Sequence, residues 1–172
     1  QDDGGGPSMP RAQFDKLTLG ADYYLPFTVQ DTPLSWSTRA WGQWSPDTLY
    51  SAERASIGSR YTVRGFHQDG LSGDIGGYVR NELAISAPLG AEGGTARGIF
   101  GTLQLFAGYD IGAVWADPKD DAERGTVQGA AFGVRTIGEH VQSNLTLSRA
   151  LDAPRHVQTS DLDVYASLAI LF

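Results

Sequence analysis

In Ile99-Phe100-Gly101-Thr102-Leu103-Gln104-Leu105-Phe106-Ala107-Gly108-Tyr109-Asp110-Ile111-Gly112-Ala113-Val114-Trp115, every second side chain changes character. Leu103, Leu105, Ala107, Tyr109, Ile111 and Trp115 share one face of an extended chain, and Thr102, Gln104, Gly108 and Asp110 share the other. A period of two belongs to a β-strand with one apolar and one polar face. The same alternation recurs on either side. Residues 16–27 set Leu17, Leu19, Ala21, Tyr23, Leu25 and Phe27 against Thr18, Gly20, Asp22 and Tyr24. Residues 34–45 carry Trp36, Trp41 and Trp44, and residues 78–89 oppose Val79, Leu83, Ile85 and Leu89 to Arg80, Glu82 and Ser86. A weaker, glycine-interrupted strand covers 126–136, a clean one 141–151, and the chain ends on Leu162, Val164, Ala166, Leu168, Ile170 and Phe172. That makes about seven strands, and no segment shows a helical repeat.

The connections alternate in length. Gln30-Asp31-Thr32-Pro33 reads as a tight turn, 46–76 as a long irregular stretch, 91–98 as a glycine-rich turn, 117–125 as a charged loop, 137–140 as a short turn and 152–160 as a polar loop. Long loops on one side and short turns on the other suit a transmembrane barrel. A soluble up-and-down barrel or a sandwich, with its apolar faces turned inward, fits the alternation as well. Two details favour the membrane. The polar faces hold Gln, Asn, Thr, Ser and single charges, as a wet lumen would. Aromatic residues fall near strand ends (Tyr23, Phe27, Trp36, Trp44, Tyr78, Trp115, Phe172), where an interfacial girdle would place them. Seven strands leave two open edges, which lipid does not tolerate, so the expectation is part of a barrel completed by other strands.

The totals narrow the function. The 172 residues suffice for one domain, 41% are hydrophobic and 19% charged, and 22 are glycine. The net charge of −7 disfavours nucleic acid as a partner. The absence of cysteine removes thiolate metal sites, cysteine nucleophiles and disulfides. The run from Gln1 to Pro7 lacks the basic and apolar parts of a signal peptide, and no apolar run reaches spanning-helix length. A mean hydropathy of −0.25 is compatible with a barrel, in which only alternate residues meet lipid.

The long loop reads Ile57-Gly58-Ser59-Arg60-Tyr61-Thr62-Val63-Arg64-Gly65-Phe66-His67-Gln68-Asp69-Gly70-Leu71-Ser72-Gly73-Asp74 and continues to Arg80-Asn81-Glu82-Leu83. This stretch resembles the two-partner secretion translocators (TpsB, the ShlB/FhaC/HecB-like hemolysin secretion/activation proteins). These are outer-membrane proteins of Gram-negative bacteria that export hemolysins, adhesins and contact-dependent toxins. Val63, Arg64, Gly65 and Phe66 match the family's loop signature, and Gly73-Asp74 to Leu83 match its continuation into the next strand. Phe106-Ala107-Gly108-Tyr109-Asp110-Ile111-Gly112 matches an aspartate between glycines on the strand after that, and Phe172 the terminal aromatic assembly signal. The related barrel-assembly and TamA-type proteins share the arginine–glycine loop motif, but Gly-Asp followed by Arg-Asn-Glu-Leu favours secretion. The resemblance covers nearly the whole chain. It implies that residues 1–172 are the C-terminal part of an antiparallel transmembrane β-barrel of about sixteen strands, with a lumen-inserting loop at 46–76 and the family's POTRA domains absent from this chain.

The resemblance further implies that Arg64 pairs with Asp110 on the inner wall. The alternation independently places Asp110 on the polar face, where a charge needs a partner or water. The competing reading is an exposed loop arginine and a wet aspartate that never meet. Gly65 supplies either a special backbone conformation or an ordinary turn. Gly73, Asp74, Arg80 and Glu82 are expected as a second polar cluster at the loop's exit, or as a solvated face. His67, His140 and His156 lack a shared spacing for metal, and His140 and Ser143 fall on opposite strand faces, against a hydrolase. No catalytic residue, metal or cofactor is therefore expected. The implied partners are a secreted TpsA-type exoprotein, outer-membrane lipid and the barrel-assembly machinery during biogenesis.

The alternation and the open edges generate one expectation. The chain should require detergent or lipid to stay dispersed and should give a β-type circular dichroism spectrum. A monodisperse folded monomer in plain buffer would refute the membrane reading.

Overall fold

The computed structural model describes residues 13–66, 69–115, 124–159 and 161–172. The Gln1 to Pro7 run, His67 and the charged loop at 117–121 lie outside the described residues. In chain order the elements are β1 (Leu17–Val29), β2 (Thr32–Trp44), a 3-10 turn (Ser51–Glu53), β3 (Ala55–Ile57), β4 (Leu71–Gly73), β5 (Ile75–Pro88), α1 (Thr95–Phe100), β6 (Thr102–Trp115), β7 (Gly125–Ile137), β8 (Val141–Asp152) and β9 (Asp163–Ile170). Seven of the strands form one sheet in the order β1-β2-β5-β6-β7-β8-β9, and each is antiparallel to its neighbours. The small β3–β4 hairpin is separate and lies within the long loop.

The register turns the period of two into a two-faced wall. Tyr23 is opposite Thr38, Thr38 opposite Asn81, Asn81 opposite Tyr109, and Tyr109 opposite Ala130. Stepping two residues along each strand keeps one face in view. That face carries Leu19, Leu25, Leu83, Leu105, Phe132 and Leu145, all exposed. The opposite face carries Arg80, Glu82, Gln104, Asp110 and Arg135. A wall with exposed leucines on one side and charges on the other is inverted relative to a water-soluble sandwich.

The buried apolar core is small and lies on the polar face. Ile57, Val63, Phe66 and Leu71 of the long loop pack with Val114 of β6, Val127 of β7 and Val157. The loop thus folds back over the sheet near its long-loop end. Trp41 and Tyr78 stack on the same side, with ring centroids 6.0 Å apart.

Several boundaries differ from the sequence expectations. The first turn is only Gln30-Asp31, both at positive φ (47° and 64°), as a two-residue hairpin matched to strand twist requires. Pro33 belongs to β2 opposite Thr28, and β2–β5 pairing starts at Leu34, so its missing N–H breaks no ladder bond. The long stretch is not wholly irregular, because it contains the 3-10 turn and the β3–β4 hairpin. Residues 95–100 form α1 rather than a turn leading into a strand at Ile99. Six residues are too few to display a helical period in sequence. Gly101 ends α1 at φ 63°, and its N–H bonds to the Arg97 carbonyl at 2.8 Å. β9 stops at Ile170, the partner of Val141, because β8 begins there. Leu171 donates one further bond to the His140 carbonyl, and Phe172 projects beyond the strand, fully exposed. Tyr78 faces inward and Tyr23 sits at mid-strand, so only Phe27, Trp36, Trp44 and Trp115 of the proposed girdle are outward and near strand ends.

Among the described residues, the outer edges of β1 and β9 are unpaired.

Candidate functional site

The loop turns sharply at its tip: Ser59 N–H bonds to the Val63 carbonyl at 3.0 Å, and Gly58 N–H to Thr62 Oγ1 at 3.0 Å. This turn sends Val63 to Phe66 down onto the sheet, where all four are buried. Arg64 is 3% exposed and Asp110, on β6, is 0% exposed. Arg64 Nε and Nη2 grip the two Asp110 oxygens at 2.7 and 2.8 Å, and the Arg64 backbone N–H adds a third bond at 3.1 Å. The bidentate geometry suits a guanidinium and a carboxylate, and both carboxylate oxygens are satisfied. Desolvation opposes the Arg64 charge. The hydrogen bonds and fields of Asp110 and Glu82 outweigh it and hold the Arg64 pKa above its ordinary value.

Around this pair the wall adds a second ring of charges. Arg64 Nη1 reaches Glu82 Oε2 at 3.1 Å, and Arg135 Nη2 of β7 reaches Glu82 Oε1 at 2.8 Å. Arg135 also donates to Gln104 Oε1 at 2.8 Å and lies over the Phe106 ring at 4.9 Å. Arg80 approaches Asp110 at 3.8 Å and bonds the Arg60 carbonyl at the loop tip at 3.0 Å. The anchor therefore joins three adjacent strands to the loop.

Glycine makes the close approach possible. A Cβ at Gly108 would collide with the Arg64 guanidinium, and one at Gly112 with Ile57 and Val63. Gly65 adopts φ 96°, and a Cβ there would meet the β8 backbone at Arg149 and Ala150. Gly129 of β7 faces the Arg64 carbonyl so closely that a Cβ would overlap it. The β7–β8 register shifts between Gln128 and Gly129, beside this contact.

The structure brings Val63, Arg64, Gly65, Phe66, Gly108, Asp110 and Gly112 together. It divides the expected second cluster. Glu82 and Arg80 join the Arg64 anchor, whereas Asp74 accepts from Leu49 N–H at 3.0 Å and pairs with Arg54 at 3.3 Å. Eight residues of extended chain from Asp74 to Glu82 span roughly 26 Å, too far for one cluster. Gly73 packs against Val114 near the Asp74 end. Arg135 and Gly129 belong to no motif read in the sequence, and Phe106 stands only at the edge of the strand motif with no role of its own. The signal available was parity: Gly129, Gly133 and Arg135 share one face of β7, the face turned toward the loop.

The fold and this site define a class: part of an antiparallel transmembrane β-barrel whose long loop is pinned to the polar face of its sheet. Comparison with known proteins makes the assignment specific. Residues 1–136 match the model of the family described as haemolysin secretion/activation protein ShlB/FhaC/HecB. The chain is 34% identical over 171 residues to the outer membrane transporter CdiB of Escherichia coli, covering 99% of this chain and 27% of that protein. It is 38% identical over 72 residues to the hemolysin transporter protein HpmB of Proteus mirabilis, covering 42% of this chain and 13% of that one. The solved structure of CdiB from Escherichia coli superposes with a TM-score of 0.83 at 35% identity, covering 99% of this chain and 30% of that chain. The chain belongs to the haemolysin secretion/activation family of outer-membrane proteins. It spans 27% of the length of the Escherichia coli relative. The exposed leucine face is thereby the membrane-facing wall, and the soluble-barrel alternative falls away.

Two predictions follow from the anchor, both for the full-length protein. Arg64→Ala or Asp110→Ala orphans a buried charge and should cost about 3–5 kcal/mol in loop docking. The double variant should cost less than the sum of the singles, because the second change removes a partner already orphaned. Protease cleavage rates at the loop tip measure all three, and additive effects would mean that the residues act separately. Gly129→Ala should expose the tip to protease as well. Gly98→Ala, where an added methyl meets open space, should leave the cleavage rate unchanged.

Proposed function

We propose that this chain forms part of the pore wall, together with the inserted loop, of a translocator that passes an unfolded exoprotein through the outer membrane by two-partner secretion. The carrying observation is the loop held on the polar wall by Arg64, bonded to Asp110 at 2.7 and 2.8 Å. An anchored loop inside a wall lined with Arg80, Glu82, Asp110, Gln104 and Arg135 makes a hydrated lumen whose bore depends on the loop's position. Relatives named as transporters of hemolysin and as CdiB support an exported TpsA-type partner of hemolysin, adhesin or contact-dependent toxin type. Passive conduction asks for no catalytic group, nucleotide or metal, since the wall only hydrates and positions the passenger. Residues 46–76 serve as the lumen-inserting loop of the barrel domain, with POTRA domains supplied elsewhere in the full protein.

Removing the loop tip in the full-length protein should abolish export of the exoprotein into the medium while other outer-membrane barrels keep their normal levels. A general fall in those barrels, with export preserved, would assign the chain to barrel assembly instead. Phe172, beyond the end of β9, supports a role as the signal read by the assembly machinery. Phe172→Asp should lower the amount of heat-modifiable barrel in the membrane, and unchanged levels would leave it without that role.

A further inference from the structure

The membrane-facing wall is not uniformly filled. Between β1 and β7, near the long-loop end, it holds an apolar groove of about 750 Å³. The register explains why. Gly42, Gly77 and Ala113 lie opposite one another on consecutive strands and form one cross-strand row with almost no side chain. The row above carries Trp44 and Trp115, and the row below carries Val79 and Ile111. Leu19, opposite Gly42, borders the β1 end, and Thr126, opposite Ala113, borders the β7 end. The furrow therefore crosses five strands, a length of roughly 19 Å at the usual strand spacing. Its walls are rows two residues apart on either side, which leaves room for one hydrocarbon chain and not for a helix.

We infer that this groove seats one acyl chain of an outer-leaflet lipid. It is continuous with the exposed leucine wall that meets the bilayer, so its surroundings are hydrocarbon. It lies toward the long loops, which in outer-membrane barrels face the exterior. Two indoles border its upper side, at the depth where tryptophan marks the headgroup boundary. The Gly42–Gly77–Ala113 row that forms its floor lies on β2, β5 and β6, inside the sheet, so a strand pairing with the free edge of β1 would flank the groove only at its Leu19 end. Below it the wall changes chemistry. Thr38 and Asn81 are bonded at 2.8 Å, and Tyr109 and Gln128 at 2.6 Å, forming a polar seam across the outward face. An acyl chain following the apolar wall is thus confined to the furrow above that seam.

Gly42 allows a clean test, because a Cβ built there has no heavy atom closer than 3.9 Å and a larger side chain would enter the groove without displacing the strand. The full-length protein, extracted from its membrane in mild detergent, is examined by native mass spectrometry for retained lipid. The wild type should carry one more lipid than Gly42→Leu or Ala113→Leu, whose retained fraction should fall about tenfold. Ala107→Leu, on the same face outside the groove, should retain the wild-type number, and heat-modifiability confirms that each variant is folded. Identical lipid counts in wild type and Gly42→Leu overturn the inference. So does a change in oligomeric state with lipid unchanged, which would give the groove to a second copy.

Discussion

A buried arginine and a buried aspartate organise this part of the barrel. Neither ion is stable alone where it sits, since an unpaired charge out of water costs several kcal/mol. Once Asp110 is placed on the inner wall, the chain must bring it a cation with matched geometry, and Arg64 arrives on a loop rather than a strand. Much of the neighbourhood serves that meeting. Gly108 and Gly112 clear the wall, Gly129 and Gly65 let two backbones touch, and Glu82 and Arg135 compensate the remaining guanidinium face. Replacing the pair by apolar residues would relieve the desolvation, but it would also remove the geometric key that selects one position for the loop.

The wall itself obeys a different constraint. Each strand serves two solvents, and the period of two separates them residue by residue. Hydrophobic burial among the described residues lies on the polar face, chiefly in the patch beneath the loop, where Phe66, Ile57 and Val63 are nearly inaccessible, and at Phe106 under Arg64 and Arg135. Elsewhere the apolar side chains find their low-dielectric environment in lipid. Strand pairing satisfies the backbone, and the surrounding bilayer takes the place of a core.

The alternation was legible because parity survives any small error in strand ends, and it placed Asp110 on the correct face without knowledge of the fold. What stayed hidden was local or three-dimensional. α1 is shorter than two turns, and the β3–β4 hairpin pairs three residues with three across a thirteen-residue gap, so neither leaves a period to detect. Asp74 and Glu82 looked like neighbours in sequence, but an extended strand carries them apart. Arg135 lies about seventy positions beyond Arg64, and only the sheet register brings both to Glu82. The Arg64–Asp110 pairing came from the family's loop signature. Alternation could show that Asp110 needed a partner, but not which one.

The order of the chain adds a condition in time. Trp41 of β2 apart, the loop lies before the groups that hold its tip: Glu82, Asp110, Gly129 and the Arg149–Ala150 backbone all come later and belong to four successive strands. That surface does not exist until β5, β6, β7 and β8 are zipped in register. During biogenesis the loop must wait, with Arg64 still hydrated, and its docking reports that these four of the sheet's seven strands have paired in register.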